Sequence, residues 1–219
     1  MCNRKIALPR AFVFFLVLVA SFAAAGAEES APVQKPQVKE GDRWRYRNTD
    51  YPTNLPRVRT YDERVSFVGP DEILTLNRDG SSDSVWTSEW NPRSIGGTVF
   101  DKPTGILRFP LAVGATHETT YSIVARRGNP ARTKYDGKVT VVGWEDIEVP
   151  AGKFRALKVE LKGNYSRLDI RASGWLRITF WYVPELKRWA RYSYEDGYRN
   201  PSDPNWREDH VLVDFKVQE

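Results

Sequence analysis

Residues 142–163, VGWEDIEVPAGKFRALKVELKG, hold the densest group of side chains that could do chemistry. Glu145, Asp146 and Glu148 sit beside Trp144 and a Pro150-Ala151-Gly152 turn. Two carboxylates can drive a hydrolysis when a cleft raises the pKa of one, so that it donates a proton while the other attacks or activates water. The same residues also suit the wet side of a β-hairpin, where acids face bases. Register separates the two readings. A two-residue turn at Pro150-Ala151 sets Glu148 opposite Lys153, Ile147 opposite Phe154 and Asp146 opposite Arg155. A slip by one residue would oppose Glu148 to Phe154 and Ile147 to Arg155, so the charges favour the first register. The acids are therefore expected to be exposed and paired, and no catalytic residue is assigned. Past Glu145 and Ala156 the apolar residues change face, with Ile147/Phe154 on one side and Trp144/Leu157 and Val142/Val159 on the other. That double switch predicts a bulge near Gly143-Trp144.

A second stretch, ASGWLRITFWYVPELKRWARYSYEDG over 172–197, carries the aromatic signal. Leu176, Ile178, Phe180 and Tyr182 share one face. With Pro184 to Arg188 as the loop, Phe180 pairs with Tyr192 and Ile178 with Tyr194. On the other face Trp181 meets Arg191, Thr179 meets Ser193 and Arg177 meets Glu195, a cation over an indole and an opposite-charge pair in one register. Trp175, Trp181, Trp189 and Arg191 are thus expected away from the main apolar layer. They form the candidate ligand-binding face, an aromatic groove for an apolar or amphipathic ligand. A covering loop or a second core layer would explain them equally, and stacking on sugar rings is a third possibility.

The elements that must position these groups alternate with period two. Leu157, Val159 and Leu161 oppose Lys158, Glu160 and Lys162; Val211, Val213, Phe215 and Val217 repeat the pattern. Trp44 and Tyr46 oppose Arg43, Arg45 and Arg47. Many such short segments, with turn signals at Asp79-Gly80, Gly128-Asn129-Pro130 and Asp136-Gly137 and a long loop over 199–208, mean antiparallel β. Asn164-Tyr165-Ser166 fits a glycosylation sequon but reads more plainly as a hairpin end. No helix is predicted outside the N-terminus. The fold class is all-β: a single antiparallel meander sheet curled into a half-open barrel or a β-sandwich.

The N-terminus reads as a secretory signal, with Arg4, Lys5 and Arg10 before an apolar run and Ala25-Gly26-Ala27 as the cleavage site. The expected organisation is a signal peptide over 1–27, a flexible leader over 28–40 and a β domain over 41–219. Cleavage would remove three of the 33 basic residues and none of the 28 acidic ones, so the net charge falls from +5 to about +2. The basic precursor is then no argument for nucleic acid, and no integral membrane span remains. Cys2 and Met1 leave with the signal, which excludes disulfides and thiol chemistry. His117 and His210 are far apart and read as structural or surface residues, so no metal centre or cofactor is predicted. Arg126-Arg127 and the Arg43/Arg45/Arg47 row read as solvated faces. P-loop, dinucleotide, G-x-S-x-G and H-E-x-x-H motifs are absent from the sequence.

Gly41-Asp42-x-Trp44-x-Tyr46, Phe109-Pro110-Leu111-x-Val113-Gly114, Val149-Pro150-Ala151-Gly152-Lys153-Phe154 and Phe180-Trp181-Tyr182-Val183-Pro184-Glu185-x-Lys187-Arg188 follow in order. Together they resemble poorly characterised exported proteobacterial β proteins, grouped as TapB-like or as domains of unknown function. Those are similar in architecture to LolA-type lipoprotein carriers. The resemblance implies a half-barrel and carries over no catalytic residue. The expectation is a periplasmic or secreted non-enzymatic protein that binds lipid, acylated peptide or another apolar ligand. One alternative is a structural protein whose aromatic face docks an envelope partner chain. Last comes a carboxylate-dependent hydrolase using Asp146 or Glu148.

Overall fold

A computed structural model describes residues 31–51, 55–77, 80, 83–127, 129–198 and 206–219. The expected signal peptide and the first residues of the leader lie outside the described residues. Among those described, twelve antiparallel strands close into a barrel: β1 (Arg43–Asp50), β2 (Arg57–Val68), β3 (Glu72–Leu76), β4 (Asp83–Thr87), β5 (Pro92–Ile95), β6 (Thr98–Phe100), β7 (Thr116–Arg126), β8 (Asn129–Val149), β9 (Gly152–Arg167), β10 (Ala172–Val183), β11 (Arg188–Gly197) and β12 (Trp206–Lys216). Each strand neighbours the next in sequence, and β1 pairs with β12 to shut the ring. The expected half-open barrel or sandwich is therefore corrected to a closed barrel. Closure removes both sheet edges, and with them the unpaired backbone groups an open half-barrel would expose. Among the described residues the helical content is one 3-10 turn, Pro184–Leu186.

Period two sorts the walls as read. Trp44 and Tyr46 are fully buried while Arg47 is exposed. Leu157, Val159 and Leu161 point inward, and Lys158, Glu160 and Lys162 point outward. The β8–β9 hairpin has the expected register, with Glu148 opposite Lys153, Ile147 opposite Phe154 and Asp146 opposite Arg155. The expected bulge also forms, between Val141 and Gly143. It takes Val142 out of the pairing, so Val141 and not Val142 faces Val159 and is buried. Gly143 sits there at φ +152°, where a side chain is rarely tolerated.

Two expected breaks are not breaks. Asp136-Gly137 lies inside the 21-residue β8, and Asn164-Tyr165-Ser166 lies inside β9 with Tyr165 buried in the interior. Gly137 faces Gly163 across the two strands. A Cβ on Gly163 would come within 2.0 Å of the Asp136 carbonyl oxygen, so the glycines permit a close backbone approach rather than a turn. The leader is likewise not free over its described part. Val33 exchanges two hydrogen bonds with Leu111 (2.9 and 2.8 Å), and Val33 and Val38 pack on the core.

Burial pushes the pKa of eight of the ten tyrosines upward: Tyr46, Tyr61, Tyr121, Tyr135, Tyr165 (to about 12), Tyr182, Tyr192 and Tyr194. Tyr51 and Tyr198 are exposed. A phenol with a raised folded-state pKa contributes stability that is complete below its unfolded value near 10 and is lost as pH rises above it. Alkaline titration at 295 nm is therefore expected to show these eight phenols resisting ionisation while the barrel stays folded. They should ionise together with loss of the folded far-UV signal above about pH 10. Smooth titration of most tyrosines in a folded barrel would contradict this packing.

Candidate functional site

The carboxylates of the β8–β9 hairpin stand largely in solvent. Asp146 and Glu148 leave 85 % and 74 % of their side chains in solvent, beside Arg155 at 3.4 Å and Lys153 at 3.7 Å. They line an open surface depression of about 470 Å³ together with Ile147 and Phe154. Glu145 differs. Burial works against its ionisation, but hydrogen bonds from the Trp181 indole (2.8 Å) and Lys158 (2.9 Å) hold the carboxyl below its usual range.

The expected aromatic face is split by one bulge. The β10–β11 pairing follows the expected register from Arg177–Glu195 to Trp181–Arg191, then shifts, so that Tyr182 faces Trp189 and Val183 faces Arg188. Trp181 and Arg191 stay on the outer wall. The indole lies under the Lys158 and Arg191 cations (5.6 and 4.9 Å), and Arg191 forms a two-pronged ion pair with Asp209. Trp175 is half-buried, with Gly197 opposite it. Trp189 is turned inside and is 5 % exposed, against Phe180, Trp86 and Trp90. Trp175, Trp181, Trp189 and Arg191 therefore do not share a face.

Arg188, placed by sequence in the loop, begins β11 and is fully buried. Core donors seize the backbone around it: Trp44 Nε1 donates to the Leu186 carbonyl (2.9 Å), Trp90 Nε1 to Lys187 (2.8 Å) and the Tyr46 hydroxyl to Trp189 (2.8 Å). Lys187 takes a left-handed conformation (φ 57°) that ends the 3-10 turn and sends Arg188 inward. Its guanidinium is ion-paired with Glu63 and ringed by indoles. The Cζ–centroid distances are 4.3 Å to Trp90 and Trp189, 4.9 Å to Trp86 and 5.1 Å to Trp44. Nε and Nη1 find no acceptor among the described residues, so ring faces stand in for acceptors. This end of the interior is sealed and structural.

The other end is not sealed. Antiparallel pairing puts Asn48, His210 and Tyr192 at one level and Asp50, Glu208 and Tyr194 at the next, with Asp196 and Trp206 beyond. Tyr46–Tyr61, Tyr61–His210 and Tyr192–His210 ring contacts of 5.6, 5.7 and 5.1 Å tie these residues to the buried core, so their side chains face inward. Solvent still reaches them: His210 keeps 13 % and Glu208 29 % of its side chain exposed. The groups are chained. Tyr61 Oη lies 2.8 Å from His210 Nδ1, Glu208 lies 3.4 Å from His210 Nε2, and the Trp206 indole donates to Glu208 (2.8 Å). Burial opposes the Glu208 charge, yet His210 and Trp206 hold its pKa below the usual range. Asp196 accepts the Tyr194 hydroxyl (2.7 Å), and burial raises its pKa. Asp50 takes Arg59 on Oδ2 (2.7 Å). Asp50 Oδ1 and Asn48 Oδ1 are buried and accept no hydrogen bond from the described residues. Sequence reading passed over His210 as a lone histidine; Tyr61 is 149 positions away, and only barrel closure brings the two together.

Among the described residues no group of three or more His, Cys, Asp or Glu is arranged to hold a metal ion, and no helix is long and apolar enough to cross a membrane. No family model and no curated protein matches the chain. Solved structures do. A "putative lipoprotein" from Parabacteroides distasonis superposes with TM-score 0.50 at 15 % identity, over 85 % of this chain and all of that one. A Bacteroides fragilis "putative exported protein with YmcC-like fold" gives TM-score 0.46 at 15 % identity, over 85 % of this chain and all of that one. The "hypothetical lipoprotein YmcC" of Escherichia coli gives 0.46 at 7 % identity, over 88 % of this chain and 89 % of that one. At such identities the first match speaks for the fold alone, and the two weaker ones carry no argument. These matches are to YmcC-like and lipoprotein-class structures, and nothing in them supports the TapB-like or LolA-type resemblance.

Proposed function

We propose that the protein is exported and serves as a non-enzymatic binding module of the cell envelope, periplasmic or secreted. Its amphipathic ligand enters the half-buried end of the barrel interior. The observation that carries this reading is the division of the interior into a sealed indole end and a solvent-reached end with two buried acceptor oxygens that lack donors. Apolar lining with a few convergent polar groups is the usual make-up of a ligand site. Export is supported by the N-terminal signal pattern, and the printed name of the Parabacteroides distasonis neighbour, a putative lipoprotein, agrees with it. The outer wall over β9–β12 is a lattice of Lys158, Glu160, Arg177, Glu195, Arg207 and Asp209, which suits water; a lipid-facing barrel would carry an apolar band there. Docking of a partner chain on the outer wall has less behind it, because Trp181 already has its indole N–H and its ring occupied by Glu145, Lys158 and Arg191.

Native mass spectrometry of the protein purified from its own envelope tests the reading. A co-purifying small amphiphile that is lost on mild delipidation, with return of tryptophan fluorescence changes on re-addition, is the expected result. A ligand-free monomer that stays optically unchanged across amphiphile titrations would overturn it.

A further inference from the structure

Alternate connections of a meander barrel share an end, so the β7–β8, β9–β10, β11–β12 and β1–β2 turns follow one another round the solvent-reached rim. The five most exposed large apolar side chains among the described residues all lie on this arc. Leu55 and Val58 stand at the β1–β2 connection, Leu168 and Ile170 at β9–β10, and Tyr198 at β11–β12, each 54–77 % exposed. Single exposed apolar residues are ordinary, but a set gathered on three successive turns marks an interaction surface.

The same arc is basic. Arg57, Arg127, Arg132 and Arg171 are exposed and have no ion-pair partner among the described residues. Arg132 belongs to the β9–β10 turn in space, since its carbonyl accepts the Leu168 N–H (2.8 Å). Among the described residues of these connections Asp169 is the exposed carboxylate, and Arg167 already holds it (3.2 Å). The opposite end has no such bias: Glu40, Asp71, Glu72 and Glu185 are exposed there beside Lys39 and Lys102.

The partner must therefore offer negative charge and an apolar layer together. A free phosphate or a nucleic acid would engage the guanidiniums and leave Leu168 and Ile170 in water. An acidic protein would have to bring a fitted pocket to each of three turns. An anionic bilayer presents lipid phosphates at its surface with acyl chains directly beneath, and its fluid headgroups adapt to separate tips. Tyrosine suits that boundary as well. The ion-paired outer wall of β9–β12 keeps the strands in water, so the contact stays peripheral.

We propose that this arc of the rim docks on the surface of an anionic lipid bilayer. Leu55, Leu168 and Ile170 enter the boundary between headgroups and acyl chains, and Arg57, Arg127, Arg132 and Arg171 lie against lipid phosphates. Docking turns the solvent-reached end of the barrel toward the membrane. It stands whether or not the interior holds a ligand.

The test is co-sedimentation of the full mature chain, freed of the apolar N-terminal run, with vesicles of phosphatidylcholine alone or mixed with phosphatidylglycerol. Partitioning onto the anionic vesicles is expected to be at least about tenfold stronger, each arginine near the surface being worth about fivefold. Raising the salt from about 0.1 M to about 1 M shortens the screening length from about 10 Å to about 3 Å and should weaken binding by at least about tenfold. Arg57→Gln combined with Arg171→Gln should lower partitioning about tenfold or more, and Leu168→Ser combined with Ile170→Ser should do the same through lost insertion. All four side chains are exposed, so both double variants should keep the wild-type melting temperature, which confirms that they are folded. Equal partitioning onto the two vesicle types, or anionic binding that survives both double variants, overturns the inference. So does absence from both vesicle types, and capture of poly-glutamate in that case would assign the arc to an acidic protein instead. None of these failures touches the interior-ligand reading, which is tested without vesicles.

Discussion

Arg188→Ala is expected to remove about 3–5 kcal/mol of folding free energy, because Glu63 would remain buried without its cation. For a domain of this size that corresponds to a fall in melting temperature of about 6–20 °C. Two contributions combine. The carboxylate loses its ion-pair partner, and five aromatic rings lose the guanidinium that their faces enclose. The pair itself need not be net stabilising, since both charges were taken out of water to form it. Arg188→Met combined with Glu63→Leu is therefore expected to recover most of the loss, because the double variant leaves no buried charge unpaired. Urea unfolding of wild type, Arg188→Met, Glu63→Leu and the double variant forms the cycle that checks this, with Arg188→Ala measured beside them. A loss under about 1 kcal/mol for Arg188→Ala would mean that the guanidinium reaches water and the indole end is not sealed.

Trp90 carries the second large effect. It is 1 % exposed and makes ring contacts with Trp44, Trp86 and Trp189 at 5.5, 5.8 and 6.3 Å. Its indole also holds the Lys187 carbonyl. Trp90→Ala should cost about 3–5 kcal/mol from the cavity alone. The residue is also held at φ 62°, in a turn closed by its own N–H to the Thr87 carbonyl (2.9 Å). That conformation costs a non-glycine residue about 1–2 kcal/mol. Trp90→Gly is consequently expected to be more stable than Trp90→Ala by about 1 kcal/mol, the reverse of the order in an ordinary strand. Equal losses for the two variants would show that the backbone relaxes when the ring is gone.

Local pairing was readable from the chain where adjacent strands are joined by short turns. Charge and apolar alternation fixed the β8–β9 register through Glu148–Lys153 and the β10–β11 register as far as Trp181–Arg191. The Val141–Gly143 bulge was readable too, because both strands switch face together. The bulge after Trp181 was not. Arg188, Trp189 and Ala190 give no alternation that betrays an extra residue, and a single inserted residue sends the next side chain to the opposite face. Trp189 therefore left the expected outer groove and Arg188 left the expected loop. Barrel closure was also hidden, since the β1–β12 pairing joins residues about as far apart as the domain allows, such as Arg43 and Lys216. The solvent-reached site is built across that seam, from β1, β2, β11 and β12. Its residues look like scattered polar positions until the ring closes.

The most direct measurement uses the two histidines as reporters, one inside the proposed site and one well outside it. His210 lies in the Tyr61–Glu208 chain, whereas His117, on β7, bonds the Gly105 carbonyl. Imidazole proton resonances followed during titration with dodecyl maltoside below its micelle concentration should show His210 shifting saturably, with contacts to ligand methylene protons, while His117 stays still. A bound ligand that leaves His210 unmoved and instead shifts the Trp181 indole N–H would place recognition on the outer wall and contradict the account.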